Sequence, residues 1–139
     1  MIINRSKART IAMQIIFQIP VHKTTDKVLV DKILSDYKNI GKEEVYIREV
    51  FSLVTDNIDA IDAELNAKMK GWTIDSIPKV DLAILRLAVA EICYAKDIPK
   101  VVAVNEAVRI AKKFSDDKSA KFIKDRKSTR LNSSHTNRS

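Results

Sequence analysis

The chain has 139 residues, 31% of them charged, with two Gly, three Pro and one Cys. That length suits one domain with a real hydrophobic core. So few turn residues argue against a sheet-rich fold, and a single cysteine excludes an internal disulfide or a multi-cysteine zinc site. The net charge of +7 sits mostly in the tail, where seven Lys/Arg from Lys118 onward face one acid, Asp125. The rest is nearly balanced but segregated. Before Asp26 there are four basic residues and no acid, from Asp26 to Glu64 ten acids against five bases, and from Lys96 to Lys113 five bases against two acids. The ends are basic and the middle acidic, so the distribution says more about partners than the global charge does.

The first predicted helix spans about Ser6 to Gln18, with Ala8, Ile11, Ala12, Ile15 and Ile16 on one stripe. Pro20 and the polar His22–Thr25 segment are expected to end it. Thr25 or Asp26 can cap a second helix through Val28, Leu29, Ile33 and Tyr37. After a break at Asn39–Gly41, a long helical region is predicted from Lys42 to Lys70, interrupted near Asp56–Asn57 and stopped by Gly71. Ser76 and Pro78 mark the entry to a helix from about Pro78 to Ala95. It is apolar nearly all round, with Leu82, Leu85, Ala88, Val89 and Ile92 on its main face, the pattern of a central bundle helix. Pro99 starts the next helix, with Val101, Val104, Ala107, Val108, Ala111 and Phe114 expected inward and Asn105, Arg109 and Lys112 outward. A last short helix is predicted from Asp116 to about Asp125, burying Ala120 and Phe122 or Ile123. No strand alternation of useful length and no repeat occurs, so the fold class is all-α.

From Lys127 to Ser139 the only apolar residue is Leu131. Such a segment cannot bury enough surface to order itself, and residues 127–139 are expected to be a disordered tail of foreign sequence. The apolar run from Leu82 to Tyr94 is broken by Arg86 and Glu91 and is too short to span a bilayer. The N-terminus lacks an unbroken apolar core before a cleavage site. A cytoplasmic protein with no membrane contact is expected.

No catalytic constellation stands out. His22 and His135 have no spaced metal-ligating partner. There is no glycine-rich phosphate loop and no G-x-S-x-G motif. The chain is therefore expected to be no enzyme and to carry no cofactor or metal. Cys93, between Ile92 and Tyr94, reads as a small core residue rather than a reactive thiol. The chemistry-bearing candidate is the N-terminal cluster Arg5, Lys7 and Arg9. Arg5 and Arg9 share a helix face at spacing four. Such residues bind phosphates electrostatically, and Arg also stacks on unpaired bases; a solvated helix start is the plain alternative. Arg86 interrupts a core helix and needs partners, for which Asp81 and Asp75 are the nearby acids. Trp72 is read as a packing residue between two halves, with base stacking as the alternative.

The ordered pair of segments Val80–Glu91 and Val104–Phe114, with the opening Lys7-Ala8-Arg9…Ala12-Met13-Gln14, resembles the NusB family of bacterial transcription antitermination factors. The resemblance covers roughly residues 5–123. It implies one domain over residues 1–126, built as two three-helix bundles packed about perpendicular, with halves of about 1–70 and 71–126. It also implies binding of boxA-type single-stranded RNA together with the ribosomal protein NusE, within the RNA polymerase antitermination complex. Carried over by position, the RNA surface comprises Arg5, Lys7, Arg9, Lys79, Lys121 and Phe122, and Asp81 falls at the ribosomal-protein contact. Lys118 departs from the family, which often has an acid there. After Phe122–Ile123 the family has Asn-Gly and a further apolar helix; Lys124-Asp125-Arg126 stands here instead, implying a truncated last helix. Two alternatives follow: the N-terminal RNA-binding fragment of a ribosomal RNA cytosine methyltransferase, or a helical interaction module that binds no RNA.

Overall fold

The computed structural model describes residues 3–69, 71–115 and 117–125. The expected tail from residue 127 lies outside the described residues. All regular structure within them is helical. Helix α1 is Arg5–His22, α2 is Val28–Leu34, α3 is Glu43–Asp56 and α4 is Ile58–Lys68. Helix α5, Lys79–Val89, runs directly into a π-helical turn, Ala90–Tyr94, and α6 is Lys100–Phe114. Residues 117–125 form α7.

Local chemistry explains most of the boundaries. Asn4 caps α1 by accepting the Lys7 amide at 2.8 Å. The helix does not stop before Pro20. It carries the proline inside and ends at Lys23, whose left-handed backbone (φ 55°) lets its N–H reach the Ile19 carbonyl. Proline removes one backbone donor but its φ is helical, and buried Ile19 holds the last turn down. The Asp26 carboxylate accepts the Val28 amide at 3.0 Å and starts α2. The expected interruption falls at Asn57, between α3 and α4, where its side-chain amide donates to the Leu53 carbonyl at 2.8 Å. Gly71 takes φ +82°, a left-handed turn that favours glycine.

Helix α1 packs against both α3 and α5, and α5 in turn against α6. One apolar core runs from Ala8 to Ile123. Every residue from Asp81 to Ile92 is buried, so α5 and its π turn form the axis of the molecule. In α6 the expected face is rotated. Val104, Ala107 and Ala111 are buried as predicted, but Val101 and Phe114 are exposed, and Ala103 and Ile110 take the inward positions. In α7, Ala120, Phe122 and Ile123 are all buried. Arg86 makes the ion pair expected of it, but with a different acid. Its Nε and Nη2 donate to the two carboxylate oxygens of Asp62 on α4 at 2.9 and 2.7 Å.

Leu85 is fully buried. Leu85→Ala is expected to cost about 2–5 kcal/mol in denaturant unfolding, for lost transfer energy plus the cavity left behind. Val101→Ala, on the exposed side of α6, is expected to stay within about 0.5 kcal/mol.

Candidate nucleic-acid interface

The three N-terminal cations predicted as a set occupy three different environments. Lys7 is exposed. Arg5 is half exposed, ion-paired through Nε to the buried Glu43, with its guanidinium 4.3 Å from the Tyr46 ring centroid. Arg9 is inside the protein, 3% exposed. Its Nε donates to both carboxylate oxygens of Glu91 at 3.1 Å, and its Nη1 lies 3.6 Å from Glu106. The Arg5–Arg9 spacing that reads as one phosphate-binding face is thus a face turned onto Tyr46.

The π turn accounts for the position of Glu91. A wider backbone loop re-aims side chains relative to a continuous α-helix, and here Glu91, 2% exposed, meets Arg9 of α1. Burial is the largest influence on Glu91 and pushes its carboxyl above the usual range, against the pull of Arg9. Burial likewise opposes the Arg9 charge, but Glu91, Tyr46 and Glu106 outweigh it and hold the guanidinium protonated. Burial and the neighbouring Glu91 carboxylate drive the Tyr46 phenol well above its ordinary value. On the far side, Ser6 Oγ donates to Glu106 at 3.0 Å, and Arg109 Nη2 donates to Glu106 at 3.1 Å and to the Ser6 carbonyl at 3.4 Å. Arg109, assigned simply outward from the sequence, therefore ties α6 to the start of α1.

Lys79 is exposed in the first turn of α5. Two residues on, Asp81 is 7% exposed, and its carboxylate accepts Ser119 Oγ at 2.9 Å. That bond joins the start of α5 to α7. Helix α7 exposes Lys121, while Phe122 is 9% exposed. Both line a cavity of about 330 Å³ with Lys68, Met69, Lys118 and Asp125. Three lysines face one carboxylate there. Lys118 Nζ also lies 4.2 Å above the Trp72 ring, within cation–π range. Sequence reasoning missed Lys68 and the Lys118–Trp72 pair, because the residues that meet are distant in the chain. Among the described residues no cluster of His, Cys, Asp or Glu has the makings of a metal site, and no helix is long and apolar enough to cross a membrane.

An all-helical domain with buried arginine–carboxylate pairs and exposed lysines beside aromatic rings has the make-up of a nucleic-acid-binding or partner-binding helical module. Comparison with known proteins narrows this class. The family model described as "NusB family" matches residues 6–123. The transcription antitermination protein NusB of Acetivibrio thermocellus is 40% identical over 119 residues, covering 86% of this chain and 82% of the relative. The structure of T. maritima NusB superposes with a TM-score of 0.79 at 26% identity, covering 94% of this chain and 92% of that one. A NusB crystallised with NusE and double-stranded RNA shares the fold at a TM-score of 0.75 and 24% identity, covering 93% and 96% of the two chains. The chain belongs to the NusB family.

Arg9→Ala is expected to cost about 3–5 kcal/mol, because Glu91 would be left buried without its counter-charge. Lys7→Ala is expected to change unfolding by no more than about 0.5 kcal/mol. Equal effects in urea titrations would show that the two residues share one environment.

Glu106 provides the pH-dependent contact. Burial raises its pKa, but Arg109, Ser6 and Arg9 more than reverse this and leave the carboxyl below its usual value. Its stabilisation is complete above the ordinary glutamate range and is lost as pH falls through the depressed folded value. Glu106→Gln is expected to flatten the acid limb of the thermal midpoint below about pH 5, where an ordinary glutamate begins to take up its proton, and to leave the midpoint's pH dependence above that unchanged.

Proposed function

We propose that this chain is a transcription antitermination factor that binds boxA-type single-stranded RNA together with the ribosomal protein NusE, as part of the RNA polymerase antitermination complex. The observation that carries the proposal is the sorting of cations in a NusB-family fold. Arg9 and Arg86 are internal and matched to carboxylates, whereas Lys7, Lys79 and Lys121 are exposed. Internal arginines hold helices together; exposed lysines attract phosphate and release counterions. Arg5, with its side chain half exposed over Tyr46, adds a partly available cation. Phe122 forms a wall of the lysine-lined cavity, giving a base an apolar surface next to cations.

Arg9 belongs to this site as the residue that fixes α1 and hence the direction of Lys7. Asp81 belongs to the NusE side through α7, which it holds by Ser119. A direct probe such as Asp81→Lys would place an ammonium in a buried position and disturb α7 before it reported on any contact. The reading as an antitermination factor, rather than a methyltransferase fragment, is supported by the relatives. The A. thermocellus and Oceanobacillus iheyensis relatives, 40% and 35% identical, both carry the name transcription antitermination protein NusB.

The test is a salt titration of binding to boxA-type and scrambled RNA, with and without NusE. The parent is expected to prefer the boxA-type sequence and to bind it more tightly with NusE present. Joint replacement of Lys7, Lys79 and Lys121 by Ala is expected to lower the salt slope by about 2, at about 0.7 per single-strand phosphate contact, with little change in thermal midpoint. A parent that binds neither RNA leaves a helical interaction module in place of the proposal.

A further inference from the structure

A second cavity, outside the lysine-lined one, opens beside the start of α1. Ile3, Asn4 and Lys7 line it from one side, and the connection from Asp36 to Asn39 from the other. Its volume is about 430 Å³, within the range of pockets that hold small organic groups. Tyr37 is its aromatic element. The Tyr37 side chain is partly buried and packs on the apolar core, so its ring is held in place before any ligand arrives. The backbone around it is tied down as well. The Tyr37 amide donates to the Leu34 carbonyl at 3.0 Å and the Ile3 amide to the Asn39 carbonyl at 3.4 Å, while the next residue, Ile40, is buried.

The polar lining is mixed in a useful way. Lys7 and Lys38 are exposed cations at the cavity. The first turn of α1 contains no acid, so its N-terminal dipole is not offset there. The Asn4 side-chain oxygen is occupied by the Lys7 amide, which leaves its NH₂ as a donor. Asp36 adds a single acceptor-only group, suited to the exocyclic amine of a base and not to a phosphate. A preset aromatic face, two flanking cations, and one donor and one acceptor at the rim match an unstacked nucleotide within a strand.

We propose that this cavity receives one unstacked base of the bound RNA, with Tyr37 as its stacking face and Lys7 and Lys38 on the neighbouring phosphates. The inference rests on the RNA-binding function proposed above and adds a site that the sequence resemblance does not assign. It also gives Lys7 a defined neighbour, so that the N-terminal cation acts at a built pocket and not as a free arm.

The test combines single abasic substitutions along a boxA-type RNA with Tyr37→Ala, Tyr37→Phe and Lys38→Ala. With the parent protein, removing the base at one position is expected to weaken binding about tenfold, the effect of losing one base–aromatic stack. Tyr37→Ala is expected to lose a similar factor on intact RNA and no more when that base is absent. Tyr37→Phe is expected to bind like the parent, because the ring is retained. Lys38→Ala is expected to lower the salt slope by about 0.7. Equal binding by Tyr37→Ala and the parent, or losses that simply add at every abasic position, would overturn the inference while leaving the RNA function standing. If Tyr37→Ala fails to fold, the abasic series on the parent decides: insensitivity at every position overturns the pocket. A parent that binds no RNA removes the function and the pocket together.

Discussion

The guanidinium of Arg9 lies where four helical segments meet. It comes from α1, its two-oxygen partner Glu91 from the π turn after α5, its second carboxylate Glu106 from α6, and the ring beside it, Tyr46, from α3. Burial of apolar surface is non-directional, so on its own it specifies the register and rotation of a helix less sharply than a directional bond does. A buried guanidinium whose Nε–H is shared by both oxygens of Glu91 and whose Nη1 lies near Glu106 tolerates much less sliding or rotation. We assign the pair a role in register more than in net stability. The cost of dehydrating both charges offsets most of their attraction, whereas separating them leaves one buried charge uncompensated. The π turn belongs to the same constraint, because it is the segment that presents Glu91 to α1.

Fixing α1 in this way has consequences at the surface. With Arg9 turned inward, Lys7 two residues earlier points to solvent, and Arg5 lies over Tyr46 against Glu43. The opposite flank of α1 is held through Ser6, Glu106 and Arg109. The interior pair and the exterior lysine are thus alternate products of one helical register. A comparable coupling occurs at the other end, where buried Asp81 takes Ser119 and so holds α7 with Lys121 on its outer side. In both places a carboxylate hidden from solvent sets where a cation is displayed.

Helical periodicity made the all-α class, the central position of α5 and the break between α3 and α4 legible in the sequence. The opening of α6 was less so, and the reason is compositional. Val101, Val102, Val104 and Val108 spread apolar character over more than half the helix, and alanine gives little contrast. The true inner face is marked by Ala103, Ala107, Ile110 and Ala111, where small residues permit close approach. Ion pairing was legible as a need and not as a partner. A buried Arg86 demanded a carboxylate, but Asp62 lies 24 positions earlier and only the packing of α4 on α5 brings it there. The same limit applied to Arg9, whose partner is 82 positions away. Spacing within one helix placed Arg5 and Arg9 on a common face correctly; it held no information on whether that face meets solvent or Tyr46.

This last distinction bears on how basic residues should be weighed in a helical RNA-binding domain. An arginine is well suited to both jobs, because the same fork that grips a phosphate also grips a buried carboxylate. Lysine keeps a more strongly hydrated charge and is costlier to bury. In this chain the arginines of the central contacts, Arg9 and Arg86, have gone to the interior, and the cations displayed at the lysine-lined cavity and at the Tyr37 cavity are all lysines. Attraction by such lysines is long-ranged, screened by salt and weakly directional. On the proposed RNA-binding reading, sequence preference would come from the groups beside them that have shape: Phe122 and Trp72 near one cavity, and Tyr37, Asn4 and Asp36 at the other. Under that proposal such a surface would separate affinity from selectivity, with ammonium groups supplying the first and preset rings and amides the second.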